Sequence, residues 1–196
     1  MDVEKQRRSE LIRALDPDFV CFEEVRLQHL TFPRLTVRAD IVAIPIAPQF
    51  QGYALAFEVK DPSEQWQYKN WSKTIRQASD YVYGKILPDP RLNEHVGRRI
   101  SCSFVYPSPE YIRTMPTEED SIIVGIFHLA IHFRVGRAFI DTSRREKRFC
   151  LTMGPNDVWR SDVGYTGQAE GLIKGKRTVG SQRVDILREL DGIGDD

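Results

Sequence analysis

Three charged residues in the first third of the chain have types and spacing that suit the hydrolysis of a phosphodiester. Asp40 interrupts the largely apolar segment 37–44, and Glu58 and Lys60 stand at the end of an apolar segment that begins at residue 53. If both segments are strands, Glu58 and Lys60 point to the same side of a sheet. A buried carboxylate or ammonium is costly unless it is paired, bound to a metal or open to a cleft.

Two carboxylates on adjacent strands form a site for Mg²⁺ or Mn²⁺, which prefer oxygen ligands and keep several waters. Lys60 beside such an ion would position or deprotonate an attacking water, or stabilise a pentavalent phosphorus. The alternative is a partly exposed ion pair between Glu58 and Lys60 at a strand end, which leaves Asp40 unexplained. A Glu-x-Lys pattern on its own is uninformative, because it arises by chance.

Hydrophobic periodicity predicts the elements that must position these residues. Helical spacing predicts one helix over residues 7–15 and another over 71–83. Apolar and alternating segments predict two strands between residues 20 and 46, one over 53–60 and one over 99–106. The segment 53–60 is apolar on both faces until its last residues, which indicates a sheet covered by helices. This order predicts an α/β or α+β fold with an antiparallel start and a helical crossover, and we favour an α/β fold with a mixed central sheet flanked by helices.

The second half of the chain carries weaker patterns. Alternating apolar residues predict a strand over 123–135, although a helix is possible there, and further strands over 137–141 and 148–153. Glycines and charges dominate from residue 154, until a short final helix over 184–190. We therefore divide the chain into a core domain, 1–153, and a β-rich, glycine-rich C-terminal extension, 154–196, packed on or near the core. His128 and His132 share a face, but a polar sheet face explains them better than a metal site.

Four sequence features together resemble the PD-(D/E)XK nuclease superfamily over roughly residues 20 to 106. They are Glu23-Glu24-Val25, Asp40 on the second strand, Glu58-Val59-Lys60 on the third strand, and Gln77-x-x-x-Tyr81 on the following helix. The last feature is similar to the glutamine motif of the RecB-type and phage-exonuclease branch. Ala39 stands where many members have proline, and the cysteines that build an iron–sulfur cluster in some RecB-type members are missing.

The resemblance implies a restriction-endonuclease-like fold and a Mg²⁺- or Mn²⁺-dependent nuclease of phage or DNA-repair type. It implies metal binding by Asp40, Glu58 and the main chain of Val59, with Lys60 as a catalytic residue. Glu24 is favoured over Glu23 as the upstream acidic residue, because it immediately precedes an apolar residue.

The glutamine motif adds two residues to the implied site. Gln77 and Tyr81 are four residues apart and share one helix face. Gln77 could contact Lys60 or a phosphate and so contribute to catalysis, while Tyr81 contacts the substrate. A surface glutamine and a core tyrosine are the ordinary alternatives for these two residues.

Composition excludes several classes of protein. The chain of 196 residues has 28 basic and 28 acidic residues and is 41% hydrophobic, which argues against disorder. It has no apolar run long enough to span a membrane, and its charged N-terminus indicates a cytoplasmic protein. The three cysteines are too far apart for a zinc ribbon, and they give no support to a thiol-ligated cluster or a disulfide framework.

Because the total charge is zero, a surface that binds DNA must segregate its positive charge on one face. One candidate is the glycine-rich tail, where cationic side chains could reach phosphates; a solvated loop is the alternative. Its basic residues are Lys174, Lys176, Arg177 and Arg183.

The leading hypothesis is a divalent-metal-dependent nuclease acting on DNA. The alternatives are a catalytically inactive nuclease-fold protein that binds DNA or serves as an assembly subunit, and a small protein-interaction module. The sequence leaves open a homo-oligomer or a partner protein.

Overall fold

The computed structural model describes residues 2–61, 68–108, 129–141, 148–154 and 156–173. These residues form an α/β fold with one mixed sheet of nine strands. None of the helices in the described ranges is long and apolar enough to cross a membrane. The helices and strands are α1 (Val3–Leu15), β1 (Phe19–His29), β2 (Thr36–Pro45), β3 (Leu55–Val59), α2 (Tyr68–Val82), β4 (Gly84–Ile86), β5 (Cys102–Tyr106), β6 (Val135–Asp141), β7 (Arg148–Met153), β8 (Asn156–Arg160), β9 (Gly164–Tyr165) and α3 (Ala169–Ile173).

The strands follow one another in the order β4-β1-β2-β3-β5-β6-β7-β8-β9. Strands β1, β2 and β3 form an antiparallel meander, whereas β5 pairs in parallel with both β3 and β6. A parallel pair needs a crossover connection, and α2 lies in the one between β3 and β5. The remaining pairs are antiparallel.

Strand β3 is buried on both faces, as its sequence predicts. On one face Leu55, Phe57 and Val59 pack in a core cluster with Leu11 and Leu15 of α1. On the other face Ala54 and Ala56 pack in a second cluster with Tyr81 of α2. The two helices therefore cover opposite faces of the sheet at β3.

The predicted helices over 7–15 and 71–83 are confirmed, and so are the strands predicted between residues 20 and 106 and those over 137–141 and 148–153. The strand predicted over 123–135 is wrong where the structure describes it. Leu129 and Ala130 are helical, Ile131–Phe133 is a 3-10 turn, and strand β6 begins only at Val135. Leu129 and Phe133 are exposed, so the alternating apolar residues do not form one buried face.

Residues 156–173 continue the same sheet beyond β7. Val158 and Trp159 belong to the core cluster that contains Leu11, and the Trp159 ring packs edge-on against Phe19 at 5.6 Å between centroids. The domain boundary predicted after residue 153 falls in the turn between β7 and β8. The helix predicted over 184–190 lies outside the described residues.

Candidate active site

The register of the meander brings the three acidic residues of the sequence pattern into one row. Pairing of Glu23 with Ile41 and of Val25 with Ala39 places Glu24 opposite Asp40. The last pair between β2 and β3 is Ile41 with Phe57, so the next opposing position joins Asp40 and Glu58. The row Glu24, Asp40, Glu58 thus crosses three adjacent strands, and we call it the acidic row.

Strands β2 and β3 separate at this row. The Val59 N–H donates to Asp40 Oδ2 at 2.7 Å, where a regular ladder would use a main-chain carbonyl of β2. The next N–H, of Lys60, donates instead to the Tyr106 carbonyl at 2.9 Å, which keeps this end of β3 on β5. Asp40 therefore ends the β2–β3 ladder, and its carboxylate is fixed at the point where the two strands separate.

Glu58 is fully buried. Its Oε1 forms an ion pair with Lys60 Nζ and has no other polar partner within the described ranges, and its Oε2 accepts a hydrogen bond from the Tyr81 hydroxyl. Burial and the nearby charge of Asp40 raise the pKa of Glu58 to about 7, against the opposing effects of Lys60 and Tyr81. The charges around Glu58 therefore do not offset its loss of water, and its ionised form is disfavoured.

The other two charged groups of the site respond to the same environment. Burial raises the pKa of Asp40, although the Val59 N–H and the cations Lys60, Arg8 and Arg38 lower it. Burial lowers the pKa of Lys60, but Glu58 and Asp40 outweigh this effect and raise it overall. Lys60 therefore stays an ammonium ion beside two carboxylates that are each harder to ionise than in water.

Tyr81 and Gln77 form a hydrogen-bonded chain that ends at Glu58. Gln77 Nε2 donates to the Tyr81 hydroxyl at 3.2 Å, and that hydroxyl contacts both Glu58 Oε2 and, at 2.9 Å, the Arg38 carbonyl oxygen. Burial and the charge of Glu58 raise the pKa of Tyr81, so it remains a neutral donor. Gln77 thus reaches Glu58 through Tyr81, which is itself a core residue.

Glu24 adopts a left-handed backbone conformation with φ 54°, which is rare for a residue other than glycine inside a strand. Phe22 and Val25 pack on the same side of the sheet although they are three residues apart, so regular alternation is interrupted at Glu24. Its carboxylate contacts Arg8 at 2.8 Å and Arg38 at 3.4 Å. The hydrogen bond from Arg8 lowers the pKa of Glu24.

Glu23, the alternative to Glu24, is 3.9 Å from Arg8 Nε. Arg8 lies on α1 and Arg38 lies on β2, and neither was predicted to be a site residue. Their partners are distant in sequence or depend on the irregular backbone at Glu24, so no local pattern could identify them.

Asp40 and Glu58 fit a hard divalent cation in ligand type and number. Magnesium is bound in proteins by one or two carboxylates together with waters and substrate phosphate oxygens. Burial, and after it the charge of Asp40, raise the pKa of Glu58, and a bound cation would favour its ionised form. Within the described ranges, no group of three or more His, Cys, Asp or Glu side chains is placed to bind a metal. An ion held by Asp40 and Glu58 would take its other ligands from substrate and water.

The predicted substrate contacts are not all described. Tyr81 lies at the site, whereas Lys174, Lys176, Arg177 and Arg183 lie outside the described residues. Comparison of the chain with protein-family models, with curated proteins and with solved structures gives no match. The function must therefore be inferred from the geometry of the site.

Proposed function

We propose that this protein is a divalent-metal-dependent nuclease of PD-(D/E)XK type that hydrolyses phosphodiester bonds of DNA. The observation that carries the proposal is the acidic row itself, with Lys60 paired to Glu58 where β2 and β3 separate. Such a cluster of mutually perturbed carboxylates and an ammonium is unusual in a structural role, because it costs folding energy.

The topology around the row supports a restriction-endonuclease-like core. An antiparallel meander carries all three acidic residues, α2 follows β3, and β5 then pairs with β3 in parallel. This arrangement places α1 and α2 on opposite faces at the site.

Each residue has a distinct role in the proposed reaction. Asp40 and Glu58 would hold Mg²⁺ or Mn²⁺, which when bound would acidify a water and stabilise charge on the phosphate. Lys60 would stabilise negative charge that develops on the phosphoryl oxygens. Tyr81 fixes Glu58 by its hydrogen bond, and Gln77 fixes the Tyr81 hydroxyl. These last two are positioning residues.

A catalytically inactive nuclease-fold protein that binds DNA is the second candidate, and two observations favour it. Glu58 is already engaged by Lys60 and Tyr81, and Glu24 is held by two arginines. In that case the acidic row would be a charge network that maintains the separation of β2 from β3.

Cleavage assays distinguish the two candidates. Purified protein is incubated with closed circular DNA and with end-labelled linear DNA, in Mg²⁺ and in EDTA, beside an Asp40→Asn variant purified in the same way. The nuclease proposal expects Mg²⁺-dependent product from the wild type and none from the variant. DNA binding without cleavage in Mg²⁺ or Mn²⁺ supports the second candidate, and equal cleavage by both samples overturns the assignment of Asp40.

A further inference from the structure

The β1–β2 hairpin extends beyond the acidic row and has an uneven charge distribution. Residues 25–38, which we call the hairpin arm, contain Arg26, Arg34 and Arg38 and no aspartate or glutamate. The whole chain has a formal net charge of zero. Positive charge is therefore segregated on the arm, next to the proposed site.

Two of these arginines face one another. Arg26 is paired with Arg38 in the β1–β2 register, while Val25 and Ala39, the adjacent pair, are buried on the other side. Like charges directly opposite one another destabilise a strand pair. Within the described part of the chain, the guanidinium groups of Arg26 and Arg34 have no polar partner, and that of Arg38 reaches only Glu24. This arrangement is suited to binding a polyanion.

The tip of the arm presents an aromatic side chain on a hydrogen-bonded turn. Phe32 is 61% exposed. Its N–H donates to His29 Nδ1 at 3.1 Å, and its carbonyl accepts from the Leu35 N–H at 2.7 Å. His29 is buried and its ring stacks on Tyr83. The turn thus fixes Phe32 in an exposed position, where a flat ring can stack on a base.

The spacing along the arm relates Phe32 to the acidic row. From Asp40 to Thr36 the strand spans about 13 Å at about 3.3 Å per residue, and the turn carries Phe32 further. The tip of the arm is therefore several nucleotides from a phosphate bound at the row.

We propose that the hairpin arm binds a single DNA strand, with its three arginines on the phosphates and Phe32 stacked on a base several nucleotides from the cleavage site. This inference rests on the proposed function, because it takes the acidic row as the place of cleavage. It assigns to the arm the basic surface that the neutral total charge conceals.

Binding of fluorescently labelled oligothymidylate, followed by anisotropy in EDTA, tests the arm without catalysis. Phe32→Ala should weaken binding of a long oligonucleotide about tenfold, since one stacked base accounts for about that factor. This loss should disappear for oligonucleotides too short to reach from the acidic row to the tip of the arm. Leu129→Ala, which also truncates an exposed apolar side chain, is the matched control.

The arginines are tested by salt dependence. Arg26→Ala/Arg34→Ala should reduce the slope of log affinity against log salt by about 1.4, because each phosphate contact on a single strand contributes about 0.7. Arg13→Ala on α1 is the control, since Arg13 is exposed and lies far along the helix from the arm. Circular dichroism and thermal melting establish that each variant is folded before its affinity is compared.

Two results overturn the inference. One is that the affinity and the salt slope of the arm variants are indistinguishable from those of the controls. The other is a change in sedimentation of Phe32→Ala with unchanged DNA binding, which would make the tip a contact between two copies of the chain. If the wild type binds DNA through the arm but does not cleave it, only the nuclease proposal fails. If the wild type cleaves DNA and the arm variants bind DNA as well as it does, only the proposal for the arm fails.

Discussion

Replacing Tyr81 by phenylalanine removes one hydroxyl from the site and should shift the pH at which the protein binds metal. That hydroxyl donates to Glu58, and this hydrogen bond lowers the pKa of Glu58. Without it, the pKa of Glu58 should rise above its value of about 7. Glu58 must be ionised to bind a cation, so metal binding should be lost at a higher pH in the variant than in the wild type.

The size of the shift follows from the contacts. A hydrogen bond to a charged group contributes about 1.5–3 kcal/mol, and one pH unit corresponds to about 1.36 kcal/mol. The Tyr81 hydroxyl also contacts the Arg38 carbonyl at 2.9 Å, so its single proton is shared and the lower end applies. We expect a rise of about one pH unit, and at pH 7 an affinity for Mn²⁺ about fivefold weaker because less Glu58 is ionised.

The assay is the thermal stabilisation of the protein by Mn²⁺, measured between pH 5.5 and pH 9 at fixed metal concentration. The stabilisation should decrease as pH falls through the pKa of Glu58, and its midpoint should be higher in Tyr81→Phe. Tyr53→Phe is the control, since the Tyr53 hydroxyl has no hydrogen bond within the described ranges. Equal midpoints for the two variants would refute the link between Tyr81 and the ionisation of Glu58.

Other substitutions probe the remaining residues of the site. Lys60→Ala should reduce single-turnover cleavage by at least about 10²-fold with little loss of DNA affinity, because the ammonium acts on charge that develops during reaction. A comparable loss of affinity would contradict this role. Gln77→Ala should reduce cleavage about fivefold, since it weakens a neutral hydrogen bond worth about 1 kcal/mol. An effect no larger than that of Gln6→Ala, an exposed glutamine on α1, would make Gln77 an ordinary surface residue.

The fold near the site could be predicted because its strands carry clear patterns. Strand β3 is short, apolar on both faces and bounded by turn residues, and the meander β1–β2 has a recognisable turn. Strands β4 and β9 have only three and two residues, too few for a periodic signal. The strand prediction around Leu129 was wrong because alternating hydrophobicity indicates a strand only when one face is buried, and Leu129 is 65% exposed.

The candidate site, too, could be predicted from the sequence only in part. Asp40, Glu58 and Lys60 could be identified because charge at the end of a buried strand needs a physical explanation. The contact of Tyr81 with Glu58 depends on how α2 packs against β3, which a four-residue spacing on a helix does not determine. The ion pairs of Glu24 depend on its left-handed backbone, and no feature of the sequence indicates that conformation.

The most direct test of the central claim is the binding of Mn²⁺ to the folded protein, measured by electron paramagnetic resonance at pH 8. The wild type should bind Mn²⁺ at the acidic row, and Asp40→Asn and Glu58→Gln should each lose that binding while remaining folded, because each removes one of two carboxylate ligands. Glu10→Gln is the control, because the Glu10 carboxylate lies on α1 and pairs with Arg7; this variant should bind Mn²⁺ as the wild type does. Undiminished Mn²⁺ binding by both site variants would contradict a metal-dependent nuclease centred on Asp40 and Glu58.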